Sequence, residues 1–288
     1  MGVNFMAIKL CLETFPPFFQ LALRFFLVSV PLIFFVKIPK GDWQVIFKFS
    51  FFLWTLQLSF INLGLKYGVP AGMFSLLIQT KTAVVLVLSM IFFQYYPRRQ
   101  ELIGVIIAFI GIGLIVGNLL DQGCSLPYLF IIPAILSVSC ANLVFKGASC
   151  TASPLAITVW CAFITFFPMI ILSLCFEGVD AMIDSFEHST VATWIGMFYN
   201  TVLATLVGTS LYVFLLNKYG PEQIVPFNLM VPLFGLTASW IVYNEQLTFT
   251  QWIAAFLILG GLLINQIRNP RFLIEWITIF KRKISHHT

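Results

Sequence analysis

The sequence predicts an all-α fold, a polytopic membrane helix bundle of ten spans (the first one truncated) built as two inverted five-helix repeats. Three observations predict it. Of the 288 residues, 60% are hydrophobic and only 9% are charged, whereas a soluble domain carries about 25% charged residues. The apolar residues form runs of about the 20 residues that cross a bilayer as a helix. Short motifs also recur about 140 to 150 residues apart.

Nine apolar runs have about the length of a full span. They are separated by short polar or Pro- and Gly-containing breaks, and they cover residues 17–36, 45–65, 72–93, 102–120, 126–145, 154–176, 192–216, 224–243 and 249–267. Residues 2–12 form a further apolar segment of about half the required length. We therefore expect an incomplete first helix and no soluble catalytic domain.

The basic residues predict the orientation. If ten spans alternate, twelve of the 16 Lys and Arg residues fall on one side of the membrane and only Lys66 falls on the other, where most of the acidic residues lie. Basic loops are cytoplasmic, so we expect the N- and C-termini of a multi-pass inner (plasma) membrane protein in the cytoplasm. The +5 net charge is scattered along the chain and does not form a nucleic-acid-binding stripe.

Internal similarity divides the chain into two halves. The segment LKYG at 65–68 resembles NKYG at 217–220, and the pair Asn4 and Lys9 resembles Asn142 and Lys146. An odd number of spans per half inverts the second half, as in many secondary transporters. We expect a first repeat at 1–121, a second at 122–267 and a basic cytoplasmic tail at 268–288.

Polar residues inside the apolar runs are the candidate site. An ionisable or amide side chain in a membrane needs a partner or a cavity. We expect a substrate pathway lined by Asn4, Arg24, Gln79, Lys81, Asn142, Asn228 and Pro232. Because all carboxylates lie in loops or at span ends, a substrate carboxylate is the expected partner of the buried cations. The histidines and cysteines lack metal-ligand spacing and no catalytic motif is present, so we expect neither an enzyme nor a metal or cofactor.

Each candidate also has a structural interpretation. Arg24 could simply be a hydrogen-bond donor that links helices, and Lys81 or Lys9 could extend to a membrane surface. Pro232, with Pro226, could kink a helix and need not expose backbone groups to a substrate. The residues Gly113 and Gly117 form a GxxxG motif, and with Gly260 and Gly261 they predict close helix packing.

Several motifs, taken in order, resemble those of a known transporter family. The matching segments are Gly2-Val3-Asn4-Phe5 with Ile8-Lys9, Arg24-Phe25, Asn62 to Gln79, Ala204-Thr205 with Gly208, Val231-Pro232 with Gly235, and Asn244-Glu245-Gln246-Leu247. Over essentially its whole length the chain resembles the EamA family of the drug/metabolite transporter superfamily, with its closest likeness to O-acetylserine/cysteine exporters. That resemblance implies ten spans in an inverted repeat.

The chain departs from the family pattern in three places. Met1 stands where the family usually has Trp, which predicts that the first helix is truncated, by an internal start or a degraded gene. Gln94-Tyr95-Tyr96 replaces a Gly-Glu-Arg motif, and Lys81 replaces a neutral residue.

The expected function is export of a small amino-acid-like metabolite of the cysteine or O-acetylserine type, by alternating access in the lipid bilayer. Transport of another solute, such as a nucleotide derivative, by import or exchange stays open, as does a truncated, non-functional membrane protein. A homodimer also stays open.

Overall fold

The computed structural model describes residues 2–39, 41, 43–121, 126–146, 153–219, 228, 230–245 and 248–266. The predicted basic tail at 268–288 and Pro226 lie outside the described residues. In the described part every regular element is helical. The helices are α1 Asn4–Leu12, α2 Pro17–Ser29, α3 Trp43–Lys66, α4 Ala71–Phe93, α5 Arg99–Asp121, α6 Ile131–Lys146, α7 Pro154–Phe176, α8 Val179–Glu187, α9 Val191–Tyr219, α10 Met230–Tyr243 and α11 Phe249–Gln266.

Six helices of the described chain are long and apolar enough to cross a membrane: α3, α4, α5, α6 (with the preceding 3₁₀ turn Pro127–Phe130), α7 and α9. Helices α1 and α2 would together make a seventh, although their axes turn by 119° at the break between them. Helices α10 and α11 are apolar but shorter. The all-α membrane bundle that the sequence predicts is thus confirmed, with six to seven candidate spans among the described residues.

Three of the long helices contain segments that are not α-helical. Helix α3 includes a π-helical segment at Phe51–Leu56, and α9 includes a longer one at Tyr199–Thr209. Helix α4 is interrupted by a 3₁₀ turn at Ile78–Thr80. Such interruptions redirect side chains and are frequent at functional sites.

Two helix ends of the described chain have the same local geometry. Gln94 after α4 and Asn244 after α10 both adopt the left-handed conformation, with φ angles of 51° and 49°. The next backbone N–H turns back in each case, from Tyr95 to the Ser89 carbonyl at 3.3 Å and from Glu245 to the Ser239 carbonyl at 3.5 Å. A left-handed residue at the helix end, followed by an N–H that bonds the carbonyl six residues back, thus occurs twice at a spacing of 150 residues.

Backbone contact at glycines fixes the pairing of α5 with α11. A Cβ atom added at Gly104 would meet the Gly261 carbonyl at 2.4 Å, and one at Gly261 would meet the Gly104 carbonyl at 2.5 Å. A Cβ atom added at Gly111 would meet the Ala254 carbonyl at 2.9 Å. Such small residues let membrane helices approach closely, and the prediction is confirmed for Gly261.

The prediction of close packing is wrong for three other glycines. Around Gly113, Gly117 and Gly260, no described atom lies within 4 Å of an added Cβ. Both faces of α5 are apolar, so composition does not indicate which face meets a neighbour.

Candidate functional site

A buried polar cluster lies where α2, α3 and α9 meet. Helix α2 contributes Gln20 and Arg24, which are four residues apart and therefore on one face. The Gln20 side chain is fully buried, and the Arg24 side chain is 5% exposed. Asn62 of α3 and Asn200 of α9 are also fully buried. We call Gln20, Arg24, Asn62, Asn200 and Thr205 the polar cluster.

The amide orientations within the cluster follow from its hydrogen bonds. The Asn62 Nδ2 group donates to the Pro17 carbonyl at 2.9 Å and to Gln20 Oε1 at 2.7 Å. Both acceptors require a nitrogen at that position, so Asn62 Oδ1 and Gln20 Nε2 are the atoms that face away. Neither has a hydrogen-bond partner in the described structure.

The π-helical segment of α9 positions the other half of the cluster. Arg24 Nε donates to Thr205 Oγ1 at 2.8 Å, and Thr205 Oγ1 donates to the Asn200 carbonyl at 2.7 Å. The Asn200 Nδ2 group donates to the Cys11 sulfur at 3.5 Å, and the Cys11 thiol lies near Arg24 and Gln20. The π-helical segment thus connects Arg24 of α2, through Thr205, to the Asn200 carbonyl, while the Asn200 side chain bonds Cys11 of α1.

Four polar atoms of the cluster lack a partner among the described residues. Two are donors, Arg24 Nη1 and Gln20 Nε2, and two are acceptors, Asn62 Oδ1 and Asn200 Oδ1. No described carboxylate lies within ion-pair distance of Arg24. Because a buried group without a partner costs about 1 to 3 kcal/mol, these four atoms are candidate contacts for a ligand.

A second polar region closes one end of the bundle. Glu177, just after α7, accepts the backbone N–H groups of Phe18 and Phe19 at 2.7 and 2.9 Å and the Ser173 hydroxyl at 2.7 Å. Glu245, just after α10, accepts the N–H groups of Ala71 and Gly72 at 3.2 Å each. Both carboxylates therefore occupy the electropositive N-termini of helices, α2 and α4 respectively.

Basic and hydroxyl groups complete this region. Lys9 Nζ forms an ion pair with Glu245 at 2.6 Å, so this side chain connects α1 to the end of α10 and does not merely extend to a membrane surface. Lys66 Nζ donates to the Leu12 carbonyl at 2.8 Å, and the Tyr243 hydroxyl donates to Glu13 at 3.1 Å. We call the region around Glu13, Glu177 and Glu245 the carboxylate layer. It covers the start of α2, about 10 Å from Arg24 at 1.5 Å per residue.

The structure brings two other predicted site residues into contact. Gln79, in the 3₁₀ turn of α4, donates from Nε2 to the Asn228 carbonyl at 2.7 Å. The Asn228 Nδ2 group in turn donates to the Tyr212 hydroxyl at 3.2 Å. A single chain of hydrogen bonds thus links α4 to α9 through Asn228.

The other predicted site residues form no hydrogen bond with one another in the described structure. Asn4 has a buried Oδ1 atom without a described partner and lies seven residues from Cys11, on the same face of α1. The Lys81 ammonium forms no hydrogen bond or ion pair with any described residue, and Asn142 is exposed. Pro232 is buried in the first turn of α10, where the N–H that it lacks would have no helical partner.

Sequence reasoning missed Gln20 and Cys11 as site residues, and it did not single out Asn62 or Asn200 from other polar residues. The sequence did contain a signal for Gln20, because it precedes Arg24 by four residues and so lies on the same helix face. In the described part of the chain, no group of His, Cys, Asp or Glu side chains could hold a metal ion.

Comparison with known proteins agrees with this architecture. The EamA-like transporter family model matches residues 1–117 and 125–266. A protein of Escherichia coli strain K12 named probable amino-acid metabolite efflux pump is 29% identical over 92% of this chain and 90% of its own length. A protein of Salmonella typhimurium with the same name is 32% identical, with the same two coverages.

A third relative, an uncharacterized transporter of Bacillus subtilis, is 25% identical over 92% of each chain. The family match extends over nearly all of the described helices. The chain is thus a multi-pass membrane transporter and not an enzyme, and it belongs to the EamA-like transporter family.

Proposed function

We propose that the chain exports a small amino-acid-like metabolite, of the cysteine or O-acetylserine type, across the inner membrane. The observation that carries this proposal is the guanidinium of Arg24, buried in the bundle with an unpartnered Nη1 atom and without a described carboxylate nearby. A substrate carboxylate would supply the missing partner. The names of the enterobacterial relatives support the same substrate class.

The proposed architecture has ten spans in two inverted halves, residues 1–121 and 122–267. The repeated C-caps at Gln94 and Asn244 support it, since their spacing equals the predicted repeat. The π-helical segments of α3 and α9 support it too, because they begin 148 residues apart. With both termini in the cytoplasm, the carboxylate layer faces the outside and the polar cluster lies beneath it.

The proposed transport cycle follows from that arrangement. Lys9 and Glu245 of the carboxylate layer join α1, α4 and α10, and in the proposed orientation this contact would close the outer end. Release to the outside requires this contact to separate while the inner end closes, as in alternating access between two repeats. Asn4, Gln79 and Asn228 would line the same pathway, and Lys81, Asn142 and Pro232 its inner portion.

Metabolite efflux from cells tests the proposal. Cells that produce the wild-type chain should accumulate a thiol or acetylated amino acid in the medium, compared with cells that carry an empty vector. Asn4→Leu should reduce this accumulation about tenfold, because a polar group of the pathway is lost, whereas Gln100→Leu, at an exposed position, should not. If the amino-acid content of the medium does not change although the protein is verified in the membrane, the proposal is contradicted. If the cells instead release a nucleotide derivative, the substrate is a nucleotide derivative and not an amino acid.

A further inference from the structure

The four unpartnered atoms of the polar cluster are two hydrogen-bond donors and two acceptors, which indicates the kind of ligand that could pair with them. Two are donors on neighbouring turns of α2, Arg24 Nη1 and Gln20 Nε2, and two are acceptors on other helices, Asn62 Oδ1 and Asn200 Oδ1. A carboxylate only accepts hydrogen bonds, and an ammonium group only donates them. A molecule that carries both groups on one carbon offers partners of both kinds.

We infer that the polar cluster binds the backbone of a free α-amino acid, its carboxylate on Arg24 and Gln20 and its ammonium on Asn62 and Asn200. This inference rests on the proposed function and narrows it: both charged groups of the substrate must be free. The side chain of the substrate is left unspecified by these contacts.

Charge explains why the acceptors are neutral amides. The Arg24 guanidinium brings one positive charge into the buried cluster, and no described carboxylate offsets it there. A zwitterion adds no net charge, and its carboxylate neutralises Arg24. An amine without a carboxylate would place a second positive charge beside the first in a site shielded from water, which is strongly unfavourable. An N-acylated amino acid keeps the carboxylate, but its amide nitrogen has one N–H group and cannot donate to both Asn62 Oδ1 and Asn200 Oδ1 as an ammonium group could.

The amide orientations support this assignment of groups. Asn62 Nδ2 is held by two acceptors, the Pro17 carbonyl and Gln20 Oε1. The oxygen of Asn62 and the nitrogen of Gln20 are therefore fixed as the free acceptor and the free donor. The hydrogen bonds of Asn62 Nδ2 and Gln20 Oε1 thus hold the two unpartnered atoms in place. Such preorganisation is typical of sites that recognise a ligand's functional groups.

Transport by the purified full-length chain in liposomes tests the inference. The probes are L-cysteine, N-acetyl-L-cysteine and cysteamine, with all thiols kept reduced, at equal concentration. For the wild type we expect initial rates about tenfold lower for N-acetyl-L-cysteine and about 100-fold lower for cysteamine, because a site built around polar partners rejects analogues that lack them.

Two variants assign the discrimination to residues. Arg24→Gln should lower the preference for L-cysteine over cysteamine from about 100-fold to about threefold, since the repelling charge is gone. Asn62→Leu should instead lower the preference for L-cysteine over N-acetyl-L-cysteine while the preference over cysteamine is kept. A merely structural role of either residue would lower all three rates together and leave the ratios unchanged.

The outcomes separate the inference from the proposed function. If the wild type transports L-cysteine and N-acetyl-L-cysteine equally, the inference is overturned and amino-acid-like export stands. If Arg24→Gln keeps the wild-type ratios, the inference is likewise overturned. If the wild type transports none of the three compounds nor O-acetyl-L-serine, both the proposed function and the inference fail. If a variant does not insert into the membrane, the inference is decided by the transport rates of the three compounds in the wild type.

Discussion

The carboxylate layer and the polar cluster are both polar regions within an apolar bundle, yet they differ in how their hydrogen bonds are completed. In the layer, Glu177 and Glu245 each accept three groups, and Lys9 has its counter-ion at 2.6 Å. In the cluster, about 10 Å away by helix rise, Arg24 and Asn62 each keep an atom without a described partner.

This difference separates two uses of polar groups in a membrane protein. A completed network holds helix ends together and specifies one arrangement. An incomplete one weakens the empty protein and gains stability when a ligand supplies the missing partners. We therefore assign the layer to closing the bundle and the cluster to binding.

Removing the charge of the cluster should have the largest effect. Arg24→Met is expected to lower transport of the substrate at least about 100-fold, because a charge-assisted partner of the carboxylate is lost. The melting temperature should not fall, since a buried charge without a counter-ion is removed. Uptake into proteoliposomes and thermal unfolding of the purified protein measure both quantities.

Arg99→Met is the matched control, because Arg99 is exposed at the start of α5. It should leave transport within about twofold of the wild type. Equal losses in the two variants would show that Arg24 has no special role.

A substitution that adds a carboxylate to the polar cluster should have the next largest effect on transport. Asn200→Asp would add a carboxylate to the polar cluster, on the residue whose backbone Thr205 links to Arg24. We expect transport to fall about 30-fold, as the new carboxylate competes with the substrate's. The melting temperature should rise by about 3 °C. A loss of transport with a lower melting temperature would indicate a folding defect and would count against this account.

Weakening the layer should expose the cluster. Glu245→Gln removes the ion pair with Lys9 but keeps an oxygen that can cap α4. In a background where Cys11 is the one remaining cysteine, labelling of Cys11 by a membrane-impermeant maleimide should become about tenfold faster, because an opening of the outer end becomes more frequent.

Glu187→Gln serves as the control for this experiment, since Glu187 is exposed on α8. Its labelling rate should equal that of the parent. If Glu245→Gln labels no faster than Glu187→Gln, the layer does not restrict access to the cluster.

Lys81 lies outside both regions and should have the smallest effect. Its ammonium forms no hydrogen bond or ion pair with the described residues, and we place it along the inner portion of the pathway. Lys81→Gln should change the rate or the substrate preference by about two- to threefold while the amount of inserted protein stays the same. An unaltered transport profile would remove Lys81 from the pathway.

The sequence predicted the parts of this architecture that depend on composition. Long apolar runs predicted the membrane helices, and an isolated Arg24 in such a run predicted a buried cation in need of a partner. It could not predict which face of α5 packs, because all its faces are apolar, and so the close contact at Gly104 was missed while Gly113 was wrongly chosen.

The cluster itself required the tertiary structure. Asn62 and Gln20 are 42 residues apart, and Asn200 is a further 138 residues along the chain. The contact of Thr205 with Arg24 also comes from the π-helical segment of α9, where the Thr205 hydroxyl bonds the Asn200 carbonyl five residues earlier. No short sequence pattern encodes such a segment, so periodicity could not place these residues together.

The most direct test of the central claim is the thermal stability of the purified chain with and without ligand. Because a ligand that binds the folded state alone stabilises it, L-cysteine or O-acetyl-L-serine should raise the melting temperature of the wild type and of Glu245→Gln, but not that of Arg24→Met. An equal rise in Arg24→Met would contradict the claim that the polar cluster is the substrate site.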